Sequence, residues 1–293
     1  MLNKYFSSIY MLAMLITSSS LSAIDSVSEN IKQEWKLILS ESAQSSPTLC
    51  EHMPLKDRYS DVRPLVSNKF IFTNDPLRYI NASHVKFDSC MRKFIQCQAP
   101  MRNSLKDHWW MIWESMATTS LVLTKFYEGM REKCFPYWPK ASQNNDGKIE
   151  IGELSISHSG SKISKVNEYD VEIFKFTLKK GDEIREHEII HFLDWPDNGY
   201  LDAQIFLELA LLLKNIHDNM EIPLIVHCSA GIGRAGSFIT LLSLIDALDQ
   251  NMSISVPARV IELRKQRVGS VQNIFQYKSI VKALEIYSKS PSS

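Results

Sequence analysis

Ile225-Val226-His227-Cys228-Ser229-Ala230-Gly231-Ile232-Gly233-Arg234-Ala235-Gly236-Ser237-Phe238 carries three patterns in succession. Leu224 to Val226 is an apolar, largely β-branched run and reads as a buried strand. Gly231 and Gly233 mark a tight loop. From Ala235 the spacing turns helical, with Phe238, Leu241, Leu242, Leu244 and Ile245 on one side. Cys228 therefore opens a loop between a strand and a helix N-terminus. Such a loop turns successive backbone N–H groups toward its own centre and adds the positive end of the helix. That combination seats a phosphate dianion.

Two side chains frame the loop. Cys228 lies beside the positive end of the helix, a setting that favours the thiolate, and a thiolate is a nucleophile able to attack phosphorus. Arg234 can fold back over the loop, and its planar fork matches two phosphate oxygens. A Cys-x5-Arg pair is common by itself, and a buried cysteine is ordinarily a structural thiol. The strand before, the glycines within and the helix after select the phosphate-handling reading.

The run His227 to Arg234 resembles the signature loop of the classical, cysteine-based protein tyrosine phosphatases. The resemblance implies Cys228 as nucleophile and Arg234 as phosphate clamp, and Ala235 stands where the family usually has a Ser or Thr whose hydroxyl donates to the cysteine sulfur. It also implies that Ser229, Ala230, Gly231, Ile232 and Gly233 line the phosphate seat, with His227 supporting. Other parts follow in family order. Lys56-Asp57-Arg58-Tyr59-Ser60-Asp61 resembles the phosphotyrosine-recognition loop, with Asp57 where asparagine is usual. There Tyr59 implies one wall of a deep cleft and Asp61 a hold on the substrate backbone. Arg78 to Ser83 and Phe94 to Pro100 resemble two strand segments, with Ala99 where glycine is usual. Glu128 matches a glutamate that pairs with the signature arginine.

Asp194-Trp195-Pro196-Asp197-Asn198-Gly199 is good turn chemistry in isolation. Beside the signature loop it resembles the family's closing loop. A tyrosyl oxygen leaves poorly unless protonated, and Asp197 is placed to supply the proton. Trp195 anchors the loop, and Asn198 stands where an aromatic or histidine is usual. Arg264-Lys265-Gln266-Arg267-Val268-Gly269-Ser270-Val271-Gln272 resembles a segment ending in the glutamine that holds the attacking water. Gln272 takes that role, with Gln276 secondary. The fold implied is α/β: a highly twisted mixed sheet flanked by helices on both faces, the active loop at a strand's C-terminal end.

The remaining features bound the class. The chain has 293 residues and no internal repeat, which suits one domain over residues 27–289. Lys+Arg and Asp+Glu balance at 33 each, so no global field favours nucleic acid or an anionic membrane. Residues 1–23 read as a signal peptide: Lys4, an apolar core from Ile9 to Ile16, then small residues to Ala23. The core is too short to span a bilayer. Export to the periplasm or beyond is the expectation, with delivery into a host cell as one destination and no stable membrane association after cleavage. The five cysteines show no C-x-x-C metal pattern, and an odd count leaves one thiol unpaired. Pairing among Cys50, Cys90, Cys97 and Cys134 stays open.

Residues 26–45 predict an amphipathic helix on Ile31, Trp35, Leu37 and Ile38, with Ser26 and Glu29 at capping-box spacing. Strands are predicted over Ser120–Phe126, Ile149–His158, Val171–Leu178 and Arg185–Phe192, a turn over 141–148, and a helix over Arg259–Arg267. The function expected is hydrolysis of phosphotyrosine in proteins by a monomeric enzyme, without cofactor or metal. The alternatives are a catalytically impaired phosphotyrosine-binding protein and a dual-specificity or phosphoinositide phosphatase. Cys228, Arg234, Asp197 and Gln272 argue against the first, and the Tyr59 loop against the second.

Overall fold

Four strands lie parallel as neighbours within one sheet. The computed structural model describes residues 27–139, 147–196 and 199–289. Its strands are β1 (Ala82–Phe87), β2 (Cys90–Cys97), β3 (Thr119–Val122), β4 (Tyr127–Glu128), β5 (Arg131–Glu132), β6 (Lys148–Ile151), β7 (Leu154–Val166), β8 (Tyr169–Lys180), β9 (Glu183–Phe192) and β10 (Leu224–His227). Its helices are α1 (Glu29–Gln44), α2 (Leu105–Ser115), α3 (Ala203–Ile216), α4 (Gly233–Asp249), α5 (Val256–Arg264) and α6 (Ile274–Lys289). The large sheet runs β1-β2-β10-β3-β9-β8-β7-β6, and β4-β5 is a separate hairpin.

β2, β10, β3 and β9 are parallel, while the strands outside them pair antiparallel. The fold is thus a mixed α/β sheet covered on both faces. Parallel strands buried on both sides read as continuous apolar runs, and β10 is one. Leu224 and Val226 join the layer that holds α3, α4 and α6, while Ile225 joins the layer under Trp109 and Ile112 of α2. His227 is in register with Cys97 on one side and Val122 on the other. The loop that follows β10 therefore leaves the sheet between two flanking strand ends.

Helix α4 starts at Gly233, two residues before the apolar spacing begins, and is buried from Gly233 through Ala247. The one-sided pattern expected of it is incomplete, because its polar residues face inward as well. Ser237, Thr240 and Ser243 satisfy their hydroxyls within the helix, donating to Gly233 O, Gly236 O and Thr240 O. Asp246 is held by a two-pronged contact from Arg92, at 2.7 Å from Nε and 3.2 Å from Nη2. Small self-satisfied hydroxyls can be buried on any face, so periodicity alone misses this helix's position.

Several predicted boundaries move. Helix α1 starts at Glu29 with Ser28 as its N-cap, so Glu29 stands in the first turn and the capping-box assignment fails; Ser26 lies outside the described residues. Leu37 is exposed, while Ile31 and Ile38 are buried. The strand expected from Arg78 begins only at Ala82, because Ala82 N–H turns back onto Ile80 O at 2.9 Å. β3 ends at Val122 rather than Phe126, and α5 covers Val256–Arg264 rather than extending to Arg267. Lys148 belongs to β6 and Gly147 to the turn before it; residues 141–146 of the expected turn lie outside the described residues, as does the leader over 1–23. All five cysteines are buried free thiols. Among the described residues no helix is long and apolar enough to cross a membrane.

Candidate active site

The loop from Cys228 to Gly233 is shaped by what holds its carbonyls. His227 O accepts from Leu123 N–H at 2.9 Å, and Ser229 O from Ala99 N–H at 3.0 Å. Ala230 O accepts from Arg267 Nη2 at 3.2 Å. Gly231 O accepts from both Gln96 Nε2 at 2.9 Å and Arg267 Nε at 2.7 Å. Ile232 O accepts from Gly236 N–H and Val271 N–H. With the carbonyls engaged by surrounding elements, the N–H groups from Ser229 to Gly233 have no protein acceptor among the described residues. Successive unengaged N–H groups at a helix N-terminus make an anion seat, and Cys228 stands at its start, 4% exposed.

Gly231 has φ +71°, and a Cβ there would lie 2.0 Å from Cys97 O. Only glycine fits so close an approach in that conformation. Gly236 permits a second approach, since a Cβ on it would meet Val271 N at 2.9 Å.

Arg234 is buried, and its Nη1 is held by both a backbone carbonyl and a carboxylate. Its Nη1 donates to Leu123 O at 3.0 Å and to Glu128 Oε1 at 2.9 Å. Glu128 sits on the β4-β5 hairpin with Lys133 Nζ 3.6 Å from its other oxygen. The expected pairing of Glu128 with Arg234 is present. A guanidinium held in this way keeps one fixed orientation for a bidentate partner.

His227 lies directly behind Cys228. Its Nδ1–H donates to Cys228 O at 3.2 Å, and its Nε2 accepts from Tyr137 Oη at 3.0 Å. Complete burial drives its pKa down to about 3, so the ring is neutral and both nitrogens keep these roles. Burial also pushes the Tyr137 phenol well up, which keeps its proton on the donor side.

Tyr59, half-buried, donates to Ser229 Oγ at 3.1 Å, and Ser229 Oγ donates in turn to Lys133 O at 3.0 Å. Tyr59 and the Cys228 loop are thus directly bonded. Arg58 fixes the wall's backbone: its N–H donates to Gln98 Oε1, and its guanidinium donates to Pro100 O and Glu132 O. Asp61 is exposed at the rim.

The segment from Trp195 to Gly199 is held at both of its ends. Trp195 is 2% exposed, lies edge-on to Phe206 at 5.0 Å and donates from Nε1 to Gly199 O at 3.3 Å. Gly199 O also accepts from Gln276 Nε2 at 3.1 Å. Asp197 and Asn198 lie outside the described residues. Gln276 Oε1 accepts from Gln272 N–H at 2.8 Å. A Cβ on Gly233 would come within 2.8 Å of Gln272 Oε1 and 3.1 Å of Gln276 Nε2. Both amides therefore pack over the start of α4, at the edge of the loop.

A family model described as protein-tyrosine phosphatase matches residues 53–285. The chain belongs to the protein-tyrosine phosphatase family. Human receptor-type tyrosine-protein phosphatase C is 30% identical over 282 residues, which cover 91% of this chain and 21% of that protein. Tyrosine-protein phosphatase 3 of Dictyostelium discoideum is 34% identical over 250 residues, covering 78% of this chain and 24% of that protein. The chain thus spans about a fifth to a quarter of the length of these relatives. Among solved structures, PTPN18 in complex with HER2-pY1196 phosphopeptides shares the fold with a TM-score of 0.79 at 23% identity, covering 89% of this chain and 93% of that one.

In this phosphatase domain the structure brings together Cys228, Arg234, Glu128, Tyr59, Ser229, Gln272 and Gln276. Sequence reasoning named Arg267 only as a motif member. It is a fully buried cation that binds two loop carbonyls, Ser83 Oγ and Asn81 Oδ1. Its burial partners are distant in sequence, and only its place in the Arg-x-x-Arg run signalled it. Gln96 was likewise missed, reading as one polar residue in an apolar strand.

Proposed function

We propose that this chain hydrolyses phosphotyrosine in proteins through a covalent phosphocysteine. One observation carries the reading: Cys228 opens a loop whose carbonyls are tied outward, with Arg234 fixed by Glu128 at its rim. Amide N–H groups and a guanidinium that need no reorganisation stabilise the charge of a transferring phosphoryl group.

In the first step the substrate's phosphate rests on the amides of Ser229 to Gly233 and on Arg234. Cys228 Sγ forms a bond to phosphorus as the P–O bond to the tyrosyl oxygen breaks. That oxygen takes the proton of the Asp197 carboxylic acid and leaves as a phenol. In the second step Gln272, with Gln276 beside it, holds a water. The water oxygen attacks phosphorus, Asp197 carboxylate takes its proton, and Sγ departs as thiolate with inorganic phosphate released. A neutral amide holds the water without competing for its proton.

Tyr59 sets the depth of the cleft. Tied to Ser229, it makes a wall that a phosphotyrosine ring spans, while the shorter phosphoserine stops short of Cys228. PTPN18 has been solved with phosphopeptides bound, which supports peptides of that chemistry as ligands here, with Asp61 holding their backbone. The leader over residues 1–23 supports export; cell fractionation with N-terminal sequencing tests it, and a chain retaining Met1 in the cytosol overturns it.

Cys228→Ser should abolish turnover of a phosphotyrosine peptide while binding survives, because a hydroxyl there is a far weaker nucleophile than a thiolate. Activity retained in that variant would place the nucleophile elsewhere. Comparable turnover of phosphoserine and phosphotyrosine peptides would overturn the assignment of substrate.

A further inference from the structure

The side chain of Asp57 is fully buried at the foot of the recognition loop, two residues before Tyr59. Four donors converge on it. Oδ1 accepts from Tyr79 Oη at 2.6 Å and from Asn81 Nδ2 at 2.8 Å. Oδ2 accepts from Met53 N–H at 2.8 Å and lies 3.2 Å from His52 Nδ1. Asn81 continues the chain: its Oδ1 accepts from Arg267 Nη2 at 2.9 Å, and Arg267 binds the carbonyls of Ala230 and Gly231. A carboxylate, an amide and a guanidinium thus run unbroken from the aromatic wall to the phosphate loop.

The chemistry of these donors requires an acid at 57, where the resemblance gives asparagine. Asn81 cannot turn over, because its Nδ2 also donates to Val62 O at 2.7 Å and its Oδ1 is taken by Arg267. Met53 supplies a backbone N–H, which has no acceptor form. An asparagine at 57 would set its own NH2 group against one or the other. Only a carboxylate, which accepts through both oxygens, satisfies both sides.

We propose that Asp57 is a positioning residue for substrate recognition, its carboxylate locking Tyr59's loop to the Asn81–Arg267 support of the phosphate seat. The proposal rests on the phosphotyrosine reading above. Asp57 touches neither the phosphate nor the nucleophile. The carbonyls of Gly231, Ser229 and Ile232 keep other partners in Gln96, Ala99 and Val271, so the phosphate seat stands without it. Its loss therefore acts on the wall.

The test is steady-state kinetics of Asp57→Asn and of the milder Tyr79→Phe on a phosphotyrosine peptide, with inhibition by inorganic phosphate measured alongside. One buried donor left unpaired corresponds to roughly tenfold in an equilibrium constant. Asp57→Asn should raise KM about tenfold at nearly unchanged kcat, Tyr79→Phe should raise it less, and the inhibition constant of phosphate should stay within about twofold. An unchanged KM in Asp57→Asn, or a phosphate constant that worsens in step with KM, overturns the proposal. If the unaltered chain turns nothing over, the catalytic reading fails instead. Asp57 is then tested by peptide affinity in the Cys228→Ser background, where Asp57→Asn should weaken binding about tenfold and equal affinity sinks the idea.

Discussion

Glu128 Oε1 lies 2.9 Å from Arg234 Nη1, so the orientation of the arginine depends on a two-strand hairpin that belongs to no part of the main sheet. Glu128→Ala removes the carboxylate from Nη1 while Leu123 O stays, and loosens the hold on the guanidinium's orientation. A charge-assisted hydrogen bond contributes about 1.5–3 kcal/mol, so kcat/KM should fall by roughly tenfold to a hundredfold. Glu128→Gln, which keeps an acceptor, should recover part of it. Equal losses in the two variants would show that the acceptor geometry is irrelevant.

Acid should unfold this protein through its buried histidines. Burial holds His187 and His217 down to about 4 and His227 to about 3, and puts His108 well below the usual value. In the unfolded chain all four titrate near the ordinary value of about 6.5. Between about pH 6.5 and 4 the unfolded state therefore binds protons that the native state refuses, and stability falls as pH drops, by up to about 1.4 kcal/mol per unit per histidine. Above about pH 7.5 both states are neutral and these groups contribute no slope. Denaturant unfolding at pH 5 should take up roughly three to four protons; uptake of fewer than about two would mean these rings are hydrated in the native state.

Asp197 supplies the leaving-group proton in the proposed reaction. Asp197→Ala should lower kcat by roughly 10²- to 10⁴-fold. The loss should shrink on an aryl phosphate whose phenol is acidic enough to leave unaided. Paired measurements on activated and unactivated aryl phosphates decide it, and equal losses on both would remove Asp197 from that role.

The strand-loop-helix reading of Leu224 to Ile245 was legible because an apolar run, two glycines and a change of period fall in immediate succession. Cys228, Arg234, Glu128 and Tyr59 were legible because short linear runs carry them. What stayed hidden depends on partners far apart in sequence. Asn81 reads as part of a strand, yet Asp57 and Arg267 hold its side chain while the turn of Ala82 onto Ile80 ends the ladder. Helix α4 looks one-sided because a hydropathy pattern counts Ser237, Thr240 and Ser243 as polar. Bonding back to their own helix makes them fit for the interior.

Ala235 occupies the first turn of α4, fully buried behind the Cys228 loop. The family resemblance places Ser or Thr there, with a hydroxyl that donates to the cysteine sulfur. An alanine has no donor. In the second step of the proposed reaction the sulfur leaves with a developing negative charge, and the amides from Ser229 to Gly233 are occupied by the departing phosphate. A hydrogen bond to a charged group is worth about 1.5–3 kcal/mol, so hydrolysis of the phosphocysteine should run at least roughly tenfold slower than with a hydroxyl present. Rapid mixing with an aryl phosphate should therefore show a burst of phenol followed by a slower steady phase. Ala235→Ser should accelerate the steady phase by about tenfold and leave the burst rate nearly unchanged, because the first step forms the S–P bond rather than breaking it. If the unaltered enzyme shows no burst and Ala235→Ser leaves turnover where it was, the missing hydroxyl carries no weight in this loop.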